Sequence, residues 1–432
     1  MDSVLWAEHL MTEKRKHTAL WKKLVLLLVS LLIALALSEG AVRLLYPEYG
    51  IPVHTTKLFT EFDPRLGWRK KPNFRGQHVQ DEYTIVEQLN ARGQRGPVFP
   101  YEKPDDAYRI LVLGDSFAEG YTVEFRDLFS EIMSERLNRT LERDIEVINV
   151  GTGGYGTDQE LLFFEDEGSK YEPDLTVLLF FINDLTFNIR DNYTPKGRGQ
   201  KPLFELKDGE LKLKSLPKAT WSHDEVMAQD RAEHPTEDSF VPWRPERWYL
   251  YRLLRHSLTA GTENVINELP TIPHSVPGVA GSDARSDEQG GDDERRMRFS
   301  NDRNRREWEM TEALLGRLKE RVEDGGGSLV IFYVPVRGEV YNGKREVVSN
   351  TSRIESNLGI VADRNGIDFI PSIALFRAEA RILAGQDKFL YWKKDPHWTA
   401  EGNHLTGLII AEHIRTHRDR YQLDEPRAAG GN

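Results

Sequence analysis

The sequence predicts an α/β protein built on a mainly parallel sheet and preceded by one transmembrane helix. Two patterns carry the first expectation. From Tyr108 onward, short apolar runs alternate with segments of helical spacing, as βαβ units do. Those runs are apolar at nearly every position, as strands covered on both faces must be. The helix rests on a third pattern: the run from Leu24 to Leu37 is apolar except for Ser30, and Lys14, Arg15, Lys16, Lys22 and Lys23 precede it.

That run alone falls short of the roughly 17 to 25 residues that cross a bilayer, so a span needs its extension through Trp21 and through Ala41-Val42. We read residues 24–45 as an anchor rather than a cleaved signal peptide ending near Ala36-Leu37-Ser38. The leader before the run is long, and Val42, Leu44 and Leu45 continue it. A buried helix of a soluble domain fits the preceding cations least. Their bias keeps residues 1–23 in the cytoplasm and sends everything after the anchor to the far side of the membrane.

Residues 46–107, rich in Pro, Gly and charge, read as a lead-in containing turns such as Ala91-Arg92-Gly93. The main domain is expected over 108–420, with a tail at 421–432. Its strands are expected at 109–113, 145–150, 175–182, 328–334 and 367–370. Leu128, Phe129, Ile132, Met133 and Leu137 form the apolar stripe of the helix after the first strand. Leu161 to Phe164 belong to the next helix, and 405–414 closes the domain as another.

Between the third and fourth strands an insertion over about 190–325 is too long for a plain connection. Within it, 243–258 carries Trp243, Trp248 and Tyr251 and reads as a packed helix. About 273–300, crowded with Gly, Ser, Asp, Glu and Arg, reads as a disordered loop. Trp308, Leu314, Leu315, Leu318 and Val322 then restore helical spacing up to the stop at Gly325-Gly326-Gly327.

Composition excludes several classes. A net charge of −11 leaves no dense basic face to neutralise phosphates, which argues against nucleic acid as a partner. Without cysteine there is no disulfide, thiolate metal site or cysteine nucleophile. No H-E-x-x-H or comparable cluster points to a metal, and no cofactor is expected.

Chemistry concentrates where strands end. Gly114-Asp115-Ser116 follows the first strand, and a serine at the carboxyl end of a buried strand is where an α/β fold exposes a nucleophile; the same residues are also ordinary helix-capping chemistry. A glycine loop, 151–156, follows the second strand and Asn183-Asp184 the third. In an open parallel sheet these ends converge, so that a glycine N–H and an asparagine amide can point at one substrate oxygen. Near the end comes Asp395-Pro396-His397-Trp398. A histidine so close to an aspartate can be held through Nδ1 and take a proton from a serine; alternatively Asp395 caps the next helix and leaves His397 solvated.

In that order the four blocks resemble those of the SGNH (GDSL-type) hydrolases, over about residues 108–415. The resemblance implies a flavodoxin-like three-layer α/β/α fold and esterase or acyl-transfer chemistry. It implies Ser116 as nucleophile, His397 as base and Asp395 as the acid that orients it. The oxyanion donors it implies are the N–H groups of Ser116 and Gly154 and the side chain of Asn183, with Gly151, Gly153 and Gly156 as neighbours that compete for the glycine role.

Two positions depart from the family pattern. Phe181 stands where a glycine is common two residues before the asparagine, and acid and base lie two residues apart rather than three. The D-x-H-W spacing is similar to that of related polysaccharide acetyltransferases. The substrate expected is an O-acylated, chiefly acetylated, glycan or lipid, with O-acetyl transfer to a polysaccharide as the alternative to hydrolysis. Trp243, Trp248 and Tyr251 offer rings for sugar stacking, or simply core. Two further readings compete: 151–156 with Asp184 matches a dinucleotide-binding pattern, though it leaves Ser116 and His397 without a role, and a tethered non-catalytic recognition protein would be expected to have lost at least one of the four blocks, all of which are present.

Overall fold

The computed structural model describes residues 2–45, 53–54, 59–80, 82–141, 143–193, 199–218, 250, 297, 299, 301–349 and 352–424. All but Leu250 of the helix expected at 243–258, including Trp243, Trp248 and Tyr251, all but two positions of the loop expected over 273–300, and the end of the tail lie outside the described residues. The chain divides into two compact units: Met1–Val53 with Glu237–Arg285, and His54–Thr236 with Ser286–Asn432.

In the first unit α1 (Asp2–Leu45) is continuous, so the helix starts well before the apolar run. Its stretch Trp21–Leu45 has a mean hydropathy of 2.4, and among the described residues it is the one helix long and apolar enough to cross a membrane. At 1.5 Å per residue it measures about 37 Å against a hydrocarbon core of about 30 Å. Leu26, Leu27 and Leu37 are exposed along it. A membrane span and a signal sequence both fit that description.

A short strand β1 (Val53–His54) leads into the second unit. There β2 (Thr60–Asp63) pairs antiparallel with β3 (Gly67–Lys70), and β4 (Arg75–Val79) with β5 (Thr84–Gln88). The lead-in is thus β structure from Thr60 to Gln88. The main sheet begins at β6 (Ala107–Gly114), followed by α2 (Ser116–Glu119), α3 (Phe129–Thr140), β7 (Asp144–Asn149), α4 (Thr157–Asp166), β8 (Leu175–Phe180) and α5 (Asn183–Phe187). A hairpin of β9 (Leu203–Lys207) and β10 (Glu210–Ser215) then precedes α6 (Asp302–Asp324). The rest is β11 (Ser328–Tyr333), α7 (Arg337–Val340), α8 (Arg353–Asn365), β12 (Asp368–Ile370), α9 (Ile373–Ala384) and α10 (Ala400–Thr416).

The five-stranded sheet has the order β7-β6-β8-β11-β12 with every pairing parallel. This is the flavodoxin-like arrangement, whose connections leave in opposite directions on either side of β6 and β8. The crevice at the carboxyl ends of those two strands is where such folds bind ligands.

Alternation along β6 builds the layers. Ile110 and Val112 pack with Phe129, Met133 and Leu137 of α3, Phe376 of α9, and Ile410 and Ile414 of α10. Leu111 and Leu113 pack on the other face with Leu161 and Phe164 of α4, Leu314 and Leu318 of α6, and Leu358 and Val361 of α8. Five strands appear where five were expected, with ends shifted by one or two residues. The last helix starts earlier than its apolar stripe, because Thr399 caps it by accepting from the Gly402 N–H.

Candidate active site

Strand β6 ends at Gly114, whose φ of +148° and surroundings both exclude a side chain. A Cβ there would lie 2.7 Å from the Ala118 Cβ and 3.1 Å from that of Leu179. The chain then turns into α2, and Asp115 caps it by accepting from the Phe117 N–H at 2.9 Å. Capping chemistry and the position expected of a nucleophile therefore coincide: the same turn that starts the helix sets Ser116 at its first residue, at the carboxyl end of β6.

Ser116 Oγ lies 2.7 Å from His397 Nε2, and His397 Nδ1 lies 2.6 Å from Asp395 Oδ1. Asp395 does not cap the following helix; its Oδ1 also accepts from the His397 backbone N–H at 2.9 Å. Oδ2 accepts from the Tyr83 hydroxyl at 2.9 Å. Burial pushes the Asp395 carboxyl up, but the bonds and charge of His397, together with the Tyr83 bond, outweigh it and hold the pKa at about 2. A proton on Nδ1, shared with the carboxylate, leaves Nε2 free to accept from the serine; this tautomer follows from the bonding pattern.

A tyrosine pair surrounds this axis. The Tyr121 hydroxyl lies 3.0 Å from His397 Nδ1 and hydrogen bonds to Tyr83. Burial, reinforced by the Asp395 charge, pushes both phenols far above their usual range, so both remain neutral donors. The Phe117 and Tyr121 rings flank the imidazole at 4.7 and 4.9 Å between centroids. Glu82, Tyr83, Tyr121 and Arg337, which all meet this loop, were not singled out by the sequence reading.

The glycine loop presses against α2. A Cβ on Gly151 would fall 2.4 Å from the Ala118 Cβ, and the Gly153 N–H donates to Glu119 Oε2 at 2.5 Å. The N–H groups of Gly151, Thr152, Tyr155 and Gly156 also have acceptors, in Asn149, Gly114, Thr152 and Gln159. Among the described residues nothing accepts from the N–H of Gly154, where φ is +80°, or from that of Ser116. These are two of the expected oxyanion donors. For the third, Asn183 Nδ2 donates one proton to Asp115 Oδ2 at 2.9 Å, which orients the amide and leaves its other proton available. Asp115 thus ties the turn at Ser116 to Asn183.

The dinucleotide pattern in the same loop has all but one of its N–H groups, that of Gly154, already taken. Gly153 is bound to a carboxylate, where a pyrophosphate would be repelled. Phe181 packs its ring 4.6 Å from that of Phe117, the residue after Ser116. Among the described residues no group of three or more His, Asp and Glu side chains is arranged to hold a metal ion.

A model of the GDSL-like Lipase/Acylhydrolase family matches residues 112–405. Among solved structures the chain is similar to an acetyl xylan esterase, AlAXEase, at 15% identity over 71% of this chain and 99% of that one, with a TM-score of 0.35. It is also similar to a lipase/acylhydrolase from Enterococcus faecalis (12% identity, 74% and 100% covered, TM-score 0.34). A third is Axe2, an acetylxylan esterase from Geobacillus stearothermophilus (11% identity, 71% and 94% covered, TM-score 0.34). A comparison with curated proteins gives no match.

Proposed function

The chain belongs to the GDSL-like lipase/acylhydrolase family and is an ester-bond hydrolase, and we propose that its reaction is that of an SGNH-type serine esterase with Ser116 as nucleophile. One observation carries the assignment of roles: Ser116 Oγ, His397 and Asp395 form an unbroken hydrogen-bonded line with links of 2.7 and 2.6 Å. Ser116 Oγ attacks the ester carbonyl while His397 Nε2 takes its proton, and Asp395 stabilises the imidazolium. The N–H groups of Ser116 and Gly154 and the Asn183 amide receive the oxyanion, each donor contributing about 2.7 to 4 kcal/mol. His397 returns its proton to the departing alcohol, leaving an acyl-serine that water releases as the acid.

The substrate class in this reading is an O-acylated, chiefly acetylated, glycan or lipid outside the cytoplasm. It is supported by the span-length helix α1 and the cations before its apolar run, which favour a cytoplasmic amino terminus. The two-residue spacing of Asp395 and His397 favours a second reading, in which a polysaccharide hydroxyl replaces water as acyl acceptor.

The test is hydrolysis of p-nitrophenyl acetate with trapping of acyl-Ser116 by peptide mass spectrometry. Turnover and adduct are expected in the wild type and absent from a folded Ser116→Ala variant. Retention of turnover by that variant overturns the assignment. Adding acetylated and unacetylated glycans separates the two acceptors, and protease accessibility in intact cells reports the side of the membrane.

A further inference from the structure

The connection between β4 and β5 meets the loop that carries acid and base. Glu82 accepts from three successive backbone N–H groups, those of Lys393 at 2.7 Å, Lys394 at 2.6 Å and Asp395 at 2.9 Å. Beside it, Tyr83 donates to Asp395 Oδ2 at 2.9 Å and sets its ring 5.4 Å from that of Trp392. Arg337 donates to the carbonyls of Trp392 at 3.0 Å and Lys393 at 2.7 Å. The loop itself is closed by a Trp392 N–H bond to the His397 carbonyl at 3.0 Å.

We propose that Glu82 and Tyr83 are positioning residues that clamp the 392–397 loop, so that the β4–β5 hairpin is part of the catalytic unit rather than a lead-in to it. The inference rests on the esterase reading above. His397 stands on a segment that is neither helix nor strand, so its placement over Ser116 depends on what holds that segment. A carboxylate cradled by three N–H groups makes charge-assisted bonds, which are about twice as strong as neutral ones. A displacement of about 1 Å in such a constellation costs about a hundredfold in rate.

Tyr83→Phe and Glu82→Gln test the clamp, with rates expressed per Ser116 titrated by a fluorophosphonate so that folded fraction cancels. Each is expected to lower kcat about tenfold while KM stays within about twofold, the worth of one bond to a charged group.

Wild-type kcat in both variants overturns the proposal, as does a loss that vanishes once rates are taken per titrated serine. A second readout does not need turnover: the His397 Nδ1 proton, held at 2.6 Å from Asp395, should give a downfield proton resonance that broadens in both variants. Unchanged linewidth in both overturns the clamp. Broadening in a protein that hydrolyses no ester keeps the clamp while the esterase reading falls.

Discussion

Asp395→Asn removes the charge of the proposed triad acid and leaves its shape. Oδ1 receives two donors from His397, the backbone N–H at 2.9 Å and Nδ1 at 2.6 Å, while Oδ2 receives the Tyr83 hydroxyl. An asparagine in this frame keeps its oxygen toward His397, because the reverse orientation sets an NH2 group against two N–H groups. Its nitrogen then faces Tyr83, whose hydroxyl can turn to accept. The tautomer of His397 is retained and only the charge is lost. That charge is held at about 2 against an ordinary 3.8, despite burial, which corresponds to about 2 kcal/mol or somewhat more.

The expected loss in kcat is therefore about a hundredfold, measured with p-nitrophenyl acetate from pH 5 to 9 and normalised to titrated Ser116. Activity within about threefold of wild type refutes the pairing as catalytic. The stability effect has a definite sign. A depressed carboxyl stabilises the fold above about pH 4, and the contribution is lost as the pH falls through about 2. Urea unfolding should find the variant weaker than wild type by about 1 to 2 kcal/mol at pH 7 and level with it near pH 2.

Asn183→Ala removes a proposed oxyanion donor and should lower kcat by about 10²- to 10³-fold with little change in KM; a purely KM effect would contradict the role. Gly151→Ala sets a Cβ 2.6 Å from the Ala118 carbonyl carbon and the Glu119 nitrogen, so the glycine loop must move off α2. The expected cost is about 1 to 3 kcal/mol with a parallel fall in kcat, and an unchanged Tm would show the contact to be softer than it looks. Lys201→Met strips the partner from Asp158 in a pair that is fully buried on both sides. Unfolding free energy should drop by about 3 to 5 kcal/mol, and a neutral outcome would mean that Asp158 is uncharged without it.

Legibility in the sequence followed burial. Strands β6, β8 and β11 are covered on both faces, so their apolar runs are nearly continuous and could be read directly. Hairpin strands β2 and β4 could not, since Thr-Glu-Phe-Asp and Arg-Gly-Gln-His-Val carry little apolar signal of their own. Packing such as Phe59 against the His78 ring supplies what propensity does not. Only β5, Thr-Ile-Val-Glu-Gln, showed a trace of strand alternation. Of the candidate site, Ser116 and Asn183 were legible because strand-end position and residue type coincide, and Asp395 and His397 because the two stand close together in sequence just before the last helix. Tyr83 was not, because its bond to Asp395 joins positions 312 residues apart, and no local pattern encodes such a pair.

The carboxylates behind the site set the last test. Asp115, Glu119, Asp158, Glu160 and Asp184 are all buried there, and if all were charged they would oppose the oxyanion of the proposed reaction. Burial, reinforced by the neighbouring acids, pushes Glu160 and Asp184 well above the carboxylate range. Both are then neutral while Lys201 balances Asp158, and the repulsion falls. Asp184→Asn replaces a neutral acid by a neutral amide, so kcat at pH 7 should stay within about threefold of wild type.

Stability should separate the two proteins. A raised carboxyl keeps its proton in the folded chain and releases it on unfolding above about pH 4, so the wild type loses stability as pH rises, by at most about 1.4 kcal/mol per pH unit. Asparagine has no such slope. Urea midpoints taken from pH 4 to 7 should show the variant gaining on the wild type throughout. Parallel curves would mean that Asp184 is charged in the fold and that its cost is met by partners other than those seen here.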